Sequence, residues 1–282
     1  MVRFGPAGNS DSFTAMGYKT SGQVPEYLER MGLDAFEYQC GRGVRIAEQK
    51  ARELGEAAAA LGISLSLHAP YYISLSSVEE ETRLKSIDYI LQSARAVDWL
   101  GGNRIVVHSG SCAKLTRGKA LELAIDTLQR AQQALDAAGY SHIHICPETM
   151  GKVAQLGTLE EVLSLCAVDE RLIPCVDFGH LNARTFGASR SYKQLSAAFD
   201  LMAEKLGVER AKILHIHFSK IEYTDKGGEK RHLTFADTEY GPEFEPVSRL
   251  LHERQCSATV ICESAGTQAE DAAEMMRTYR QG

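Results

Sequence analysis

Imidazoles and carboxylates recur at the ends of the apolar runs of this chain. "SLSLH" (64–68) ends in His68, "RIVVH" (104–108) in His108, "HIHICPE" (142–148) in Glu148 and "IPCVD" (173–177) in Asp177, with His180 three residues on. "ILHIHF" (213–218) carries His215 and His217, "ATVICE" (258–263) ends in Glu263, and His232 follows in the charged stretch "DKGGEKRHL". Nitrogen and oxygen donors without thiolate suit Zn2+, Mn2+ or Fe in a reactive centre, not a closed structural zinc site. Seven or more donors exceed what one ion takes. A carboxylate such as Glu148 can bridge two ions about 3.5–4 Å apart, the spacing of two-metal phosphoesterases. His142 and His144 are read as hydrogen-bonded structural residues, and His252, inside a helical pattern, as a surface one. On the 213–218 run, His215 is taken as the inward donor and His217 as facing the helices.

These residues converge only if the elements carrying them do. Short β-like runs at 2–5, 35–38, 64–68, 104–108, 142–148, 173–177, 213–218 and 258–263 alternate with helical patterns. Ser77 and Glu80 read as a capping box before a helix with Ile87, Leu91, Ala94 and Val97 on one stripe, stopped by Gly101–Gly102. Thr158 and Glu161 repeat the device, and 45–60 and 117–138 are alanine-rich and helical. Eight strands alternating with helices indicate a parallel sheet. "FGPAGNS" lacks the G-x-G-x-x-G spacing of a Rossmann turn, and no P-loop lysine follows. A single (β/α)8 barrel over 1–282 is expected, with every candidate donor at the strands' C-terminal mouth, where such barrels build active sites.

The chain has 282 residues, of which 44% are hydrophobic, and a formal net charge of −6. That length supports one large core. The acidic balance argues against nucleic-acid binding by overall charge, although bound cations would offset it locally. No apolar run approaches the roughly 20 residues of a membrane span, and "MVRFGPAGNS" lacks signal-peptide character. Seven scattered cysteines do not make a disulfide framework. A reduced, cytoplasmic monomer without membrane contact is expected.

Several of these stretches resemble the endonuclease IV family, the metal-dependent apurinic/apyrimidinic endonucleases built on a xylose-isomerase-like TIM barrel. "PCVDFGH" (174–180) resembles its Cys-x-Asp-Thr-Cys-His signature, with Cys175, Asp177 and His180 in register. "HAPYYISLSS" (68–77) resembles a second signature, with Ser74 at the asparagine position. "HIHFSK" (215–220) resembles a third, matching at His215, Ser219 and Lys220 but not at His217 and Phe218. "VVHSGS", "CPETMG" and "VICESAG" resemble the metal-bearing fourth, fifth and eighth strands.

The resemblance implies three zinc-like ions. The first is held by His68, His108 and Glu148, the second by Glu148, Asp177, His215 and Glu263, the third by His180 and His232 plus a carboxylate two residues before that histidine. Lys230 stands there, so Glu229, Asp237 or an extra water would complete the third site. Glu148 and Glu263 become the catalytic carboxylates of a hydrolase that cleaves double-stranded DNA 5′ to abasic sites in repair. Tyr71 and Arg42 resemble residues that enter the duplex, and Lys220 matches a substrate-binding position. The same superfamily includes sugar isomerases and epimerases. In that reading Glu148, Asp177 and Glu263, with His180 or His215, hold one Mn2+ or Mg2+.

Overall fold

The computed structural model describes residues 1–112 and 115–282, and all eight runs form strands within two residues of their expected bounds. They are β1 (Arg3–Pro6), β2 (Ala35–Gln39), β3 (Ser64–His68), β4 (Arg104–His108), β5 (His144–Glu148), β6 (Cys175–Asp177), β7 (His215–Phe218) and, last in the chain, β10 (Thr259–Cys262). Their order is β1-β10-β7-β6-β5-β4-β3-β2, every pair parallel. A parallel bridge between Ala7 and Glu37, with Gly8 N donating to the Glu37 carbonyl at 3.0 Å, brings the two ends together. The seam needs Gly5, because a Cβ there would lie 1.8 Å from the Ala35 carbonyl oxygen. The result is the expected eight-stranded parallel barrel with helices between the strands.

Between β7 and β10 lies an antiparallel hairpin that periodicity did not reveal, β8 (Ile221–Thr224) and β9 (Gly228–His232). Charged residues fill most of it, so no apolar alternation marks it as strand. It matters because it carries Glu229 and His232.

Most of the core lies outside the barrel wall, where outward strand residues such as Phe4, Ile216 and Phe218 meet the helices. Each fully buried side chain of this size contributes roughly 1.5–3 kcal/mol. A small apolar cluster of Val106, Cys146, Ile173 and Cys175 forms separately. All seven cysteines are buried and unpaired. No helix among the described residues is long and apolar enough to cross a membrane.

The Thr158 capping box forms as expected: Glu161 N–H donates to Thr158 Oγ1 at 3.2 Å, and Thr158 N–H to Glu161 Oε2 at 2.9 Å. The Ser77 box does not. That helix runs Glu80–Trp99 with Glu79 as its N-cap residue, and Ser77 Oγ instead accepts the Glu79 N–H at 3.2 Å. The serine lies two positions too early, so its hydroxyl closes a local turn before the helix starts.

Candidate metal centre

The strand ends meet at the mouth of the barrel in one cleft of about 650 Å³, lined by His68, His108, Glu148, His180, Glu229, His232 and Glu263 among others. Glu148, at the end of β5, is its centre. Its Oε2 lies 3.5 Å from His68 Nε2 and 3.3 Å from His108 Nε2, while its Oε1 lies 3.2 Å from His217 Nδ1 and 3.4 Å from His180 Nδ1. The two oxygens of one carboxylate thus face different groups. Among the described residues four sets of donor atoms lie within 4.8 Å of one another: His68, His108, Glu148; Glu148, Asp177, His217, Glu263; and His180, Glu229, His232 face the cleft, and a fourth, Cys175, His215, His217, is fully buried and includes a thiol.

Strand periodicity corrects the reading of β7. Residues two apart on a strand share a face, so His215 and His217 both point into the barrel, with Ile216 and Phe218 outward. Both reach Glu37 on β2, across the interior: His215 Nε2 at 2.9 Å from Oε2 and His217 Nε2 at 3.0 Å from Oε1. His215 lies one layer deeper, and the histidine that meets Glu148 and Glu263 is His217, at 3.2 and 3.4 Å. The expected role of His215 in the second set therefore falls to His217. Glu37, on β2, is fully buried beneath the centre.

Local hydrogen bonds fix the donors. Asp177 Oδ1 accepts the His180 N–H at 2.7 Å and so caps the helix Phe178–Arg184, which leaves Oδ2 without a hydrogen-bond partner. Glu148 Oε2 is likewise buried without one. Orphaned buried oxygens need an explanation, and lone pairs converging with imidazole nitrogens fit a divalent cation. His68 Nδ1 lies 2.8 Å from the Ala69 carbonyl and His180 Nδ1 2.9 Å from that of Thr149. Carbonyls only accept, so Nδ1 carries the proton on both rings and Nε2 is left to face the cleft.

Charge in the site follows from crowded carboxylates. Burial alone would raise the Glu148 pKa, but the His217 charge and the close imidazoles of His108, His180 and His217 outweigh it and hold it well below the usual range. Burial opposes protonation of His180, yet Asp177 and Glu148 beside it raise its pKa to about 10. His68 moves up through Glu148, Glu37 and Glu263, and His217 through Cys175, Glu263, Glu37 and Glu148, both against burial. His215, with Glu37 as its one acidic neighbour, is held down to about 4 by burial. Cations are what this many carboxylates demand, and divalent ions would compete with the protons on these rings.

The third set depends on a β-bulge. Glu222 pairs with Arg231 and Tyr223 with Glu229, which leaves Lys230 as an extra residue on β9. In a regular strand Glu229 and His232, three apart, would face opposite ways; the extra residue brings both to the cleft side. Glu229 Oε2 then lies 3.5 Å from His180 Nε2. Lys230 points away and pairs with Glu222, which also holds Arg231 at 2.6 Å. Asp237 drops out as the third carboxylate, because its Oδ1 accepts the N–H groups of Glu239 and Tyr240 at 3.0 and 2.8 Å. The hairpin is tied to the loop after β5 by Glu229 N–H to the Gly151 carbonyl and Val153 N–H to the Gly227 carbonyl, each 3.1 Å.

The expected substrate contacts divide. Tyr71 lines the cleft and stacks on His108 with centroids 5.3 Å apart, and burial together with Glu263, Glu148 and Glu37 raises its phenol to about 12. Arg42 is exposed and not among the lining residues. Lys220 corrects its expectation: it is buried, donates to the Asp237 carbonyl at 2.7 Å and pairs with Glu243 at 2.8 Å, so it pins the loop after the hairpin. The histidines set aside are structural. His142 pairs with Asp98, His144 with the Arg171 carbonyl, and His252 stacks on Tyr279.

Residues 25–279 match the family described as xylose isomerase-like TIM barrel. An uncharacterized protein of Methanocaldococcus jannaschii is 33% identical over 285 residues, covering 100% of this chain and 98% of that one. A probable endonuclease 4 of Sulfurihydrogenibium sp. is 28% identical over 174 residues; the alignment covers 60% of this chain and spans 61% of that protein's length. Among solved structures, a D-tagatose 3-epimerase-like protein superposes with a TM-score of 0.71 at 21% identity, covering 99% of this chain and 97% of that one.

Proposed function

The chain belongs to the xylose isomerase-like TIM-barrel family, and we propose that within it the protein is a metal-dependent phosphodiesterase of the endonuclease IV type, cutting double-stranded DNA 5′ to abasic sites. The observation that carries this reading is Glu148, whose two oxygens face separate donor sets. A bridging carboxylate flanked by further histidines suits a multinuclear centre. The probable endonuclease 4 relative supports the same chemistry.

His68, His108 and Glu148 would hold one ion, Glu148, Asp177, His217 and Glu263 a second, and His180, Glu229 and His232 a third. Zn2+ fits these donors, with Mn2+ or Fe as alternatives. Such ions, when bound, bring the pKa of a coordinated water towards neutrality and offset charge on phosphoryl oxygens. The chain's own residues orient and exclude. Asp177 and Glu148 are locked by Thr149 and Ser109, whose hydroxyls bond the Asp177 and Glu148 carbonyls at 3.2 and 2.8 Å. Tyr71 offers a neutral aromatic face at the mouth, where a duplex lacking one base leaves room to insert. Lys152 is the one lysine or arginine among the described residues lining the cleft, placed to meet a phosphate.

One observation favours a second reading. Glu148, Asp177, His217 and Glu263 alone form the donor set of a mononuclear sugar isomerase or epimerase, whose two glutamates would exchange protons beside a carbonyl. That reading leaves His68, His108, Glu229 and His232 without a task. A duplex containing a single abasic analogue separates the two: EDTA-sensitive nicking with about three ions per chain supports the phosphodiesterase. An intact duplex, one ion and epimerisation of a ketose would replace it with the isomerase.

A further inference from the structure

We propose that Glu37 is a positioning residue of the metal centre, holding His217 so that Nδ1 faces Glu148, Asp177 and Glu263. The proposal rests on the reading that those four residues hold an ion. Glu37 stands on β2, outside every donor set, and is fully buried. A buried carboxylate is costly unless its oxygens are occupied, and here both are. Oε2 accepts from Ser66 Oγ at 3.2 Å and contacts His215 Nε2 at 2.9 Å; Oε1 accepts from Gln39 Nε2 at 3.2 Å and lies 3.0 Å from His217 Nε2. With a partner on each side, the group cannot rotate freely.

His217 differs from the other histidines of the cleft in what stands behind it. A carbonyl backs His68 and His180, and the Ser219 hydroxyl lies 2.8 Å from His232 Nδ1. Behind the nitrogen of His217 turned away from its donor set stands Glu37, a carboxylate that belongs to no donor set, whereas the carboxylates near His180 Nδ1, Asp177 at 3.3 Å and Glu148 at 3.4 Å, are donors themselves. A carboxylate behind a ligating imidazole orients the ring and raises its basicity, and losing such a partner typically weakens metal binding. His215, which its motif presented as a ligand, becomes the brace that holds Glu37 in place.

The test is Zn2+ binding to the full-length chain, stripped by chelator and titrated against a competing chromogenic chelator. Glu37→Gln should weaken the affected ion by about 10- to 100-fold, while the thermal midpoint of the stripped protein stays near that of the parent. In a His217→Ala background, Glu37→Gln should cost nothing further, because its effect passes through His217. Should Glu37→Gln not fold, Glu37→Asp keeps the charge but draws it back by one methylene, and an intermediate loss of affinity is expected. Unchanged Zn2+ affinity in the variant that folds, or losses that add in the His217→Ala background, overturns the proposal. If His217→Ala alone binds as many ions as the parent, the assignment of the second ion fails, and the proposal with it. Neither result depends on which substrate is cleaved.

Discussion

At the floor of the cleft, Glu148, Asp177 and His217 stand on the neighbouring strands β5, β6 and β7 and are at most 1% exposed. At its rim, Glu229 and His232 ride on the β8–β9 hairpin with side chains 14% and 26% exposed. The floor inherits its geometry from the barrel: moving one donor means moving a strand hydrogen-bonded on both sides. The rim takes its geometry from one bulged residue and a few backbone hydrogen bonds to the loop after β5. Floor and rim should therefore fail separately, and the floor's failure should be the more complete.

Glu148→Gln should produce the largest effect. It removes charge from the carboxylate facing two donor sets, so at least two ions should be lost and turnover should fall by at least about 10²-fold, the scale of removing one preorganised electrostatic group. Elemental analysis and a single-turnover assay check both. Glu229→Ala should remove one ion only, lowering kcat by about 10- to 100-fold with KM little changed. Gly228→Ala should act in the same direction without touching a donor. Its φ is +75°, and a Cβ would lie 2.3 Å from the Gly151 carbonyl oxygen, so the hairpin has to shift. Loss of the floor ions in either rim variant would break the distinction.

Acidity sharpens the comparison from another side. Protonated His180 is stabilised against burial by Asp177 and Glu148, which moves its pKa from 6.5 to about 10. A raised folded-state pKa means that this stabilisation is fully present below about pH 6.5 and is lost as pH rises to about 10. The chelator-stripped protein should therefore lose stability across that window. The metal-loaded protein should not, because ligation uses the unprotonated ring. Thermal melts at several pH values, with and without Zn2+, show whether the two curves diverge. Lys230→Ala should have the smallest effect, within about 0.5 kcal/mol and with the ion count unchanged, since the lysine faces Glu222 rather than the cleft. Urea unfolding tests it.

The floor was legible because barrel strands place their C-terminal residues on one face, so His68, His108, Glu148, Asp177 and Glu263 could be gathered from strand ends alone. His217 was missed although the signal was present: residues two apart share a face, and the motif match at His215 drew attention from it. Glu37 gave no signal, since the two histidines it contacts are 178 and 180 residues away in the chain. The rim was illegible for a different reason. A bulge shifts the alternation by one residue, and spacing cannot show whether Glu229 or Lys230 turns inward until Glu222 is seen to take the lysine. The helix starts divided likewise: Thr158 caps its helix, whereas Ser77 sits two residues short of doing so.

The central claim is a shared cleft in which floor and rim each hold metal. Its most direct test is the number of ions per chain in the parent and in Glu229→Ala, measured by elemental analysis after saturation with Zn2+ and removal of excess. About three ions falling to about two is the predicted result. One ion in both proteins would contradict it.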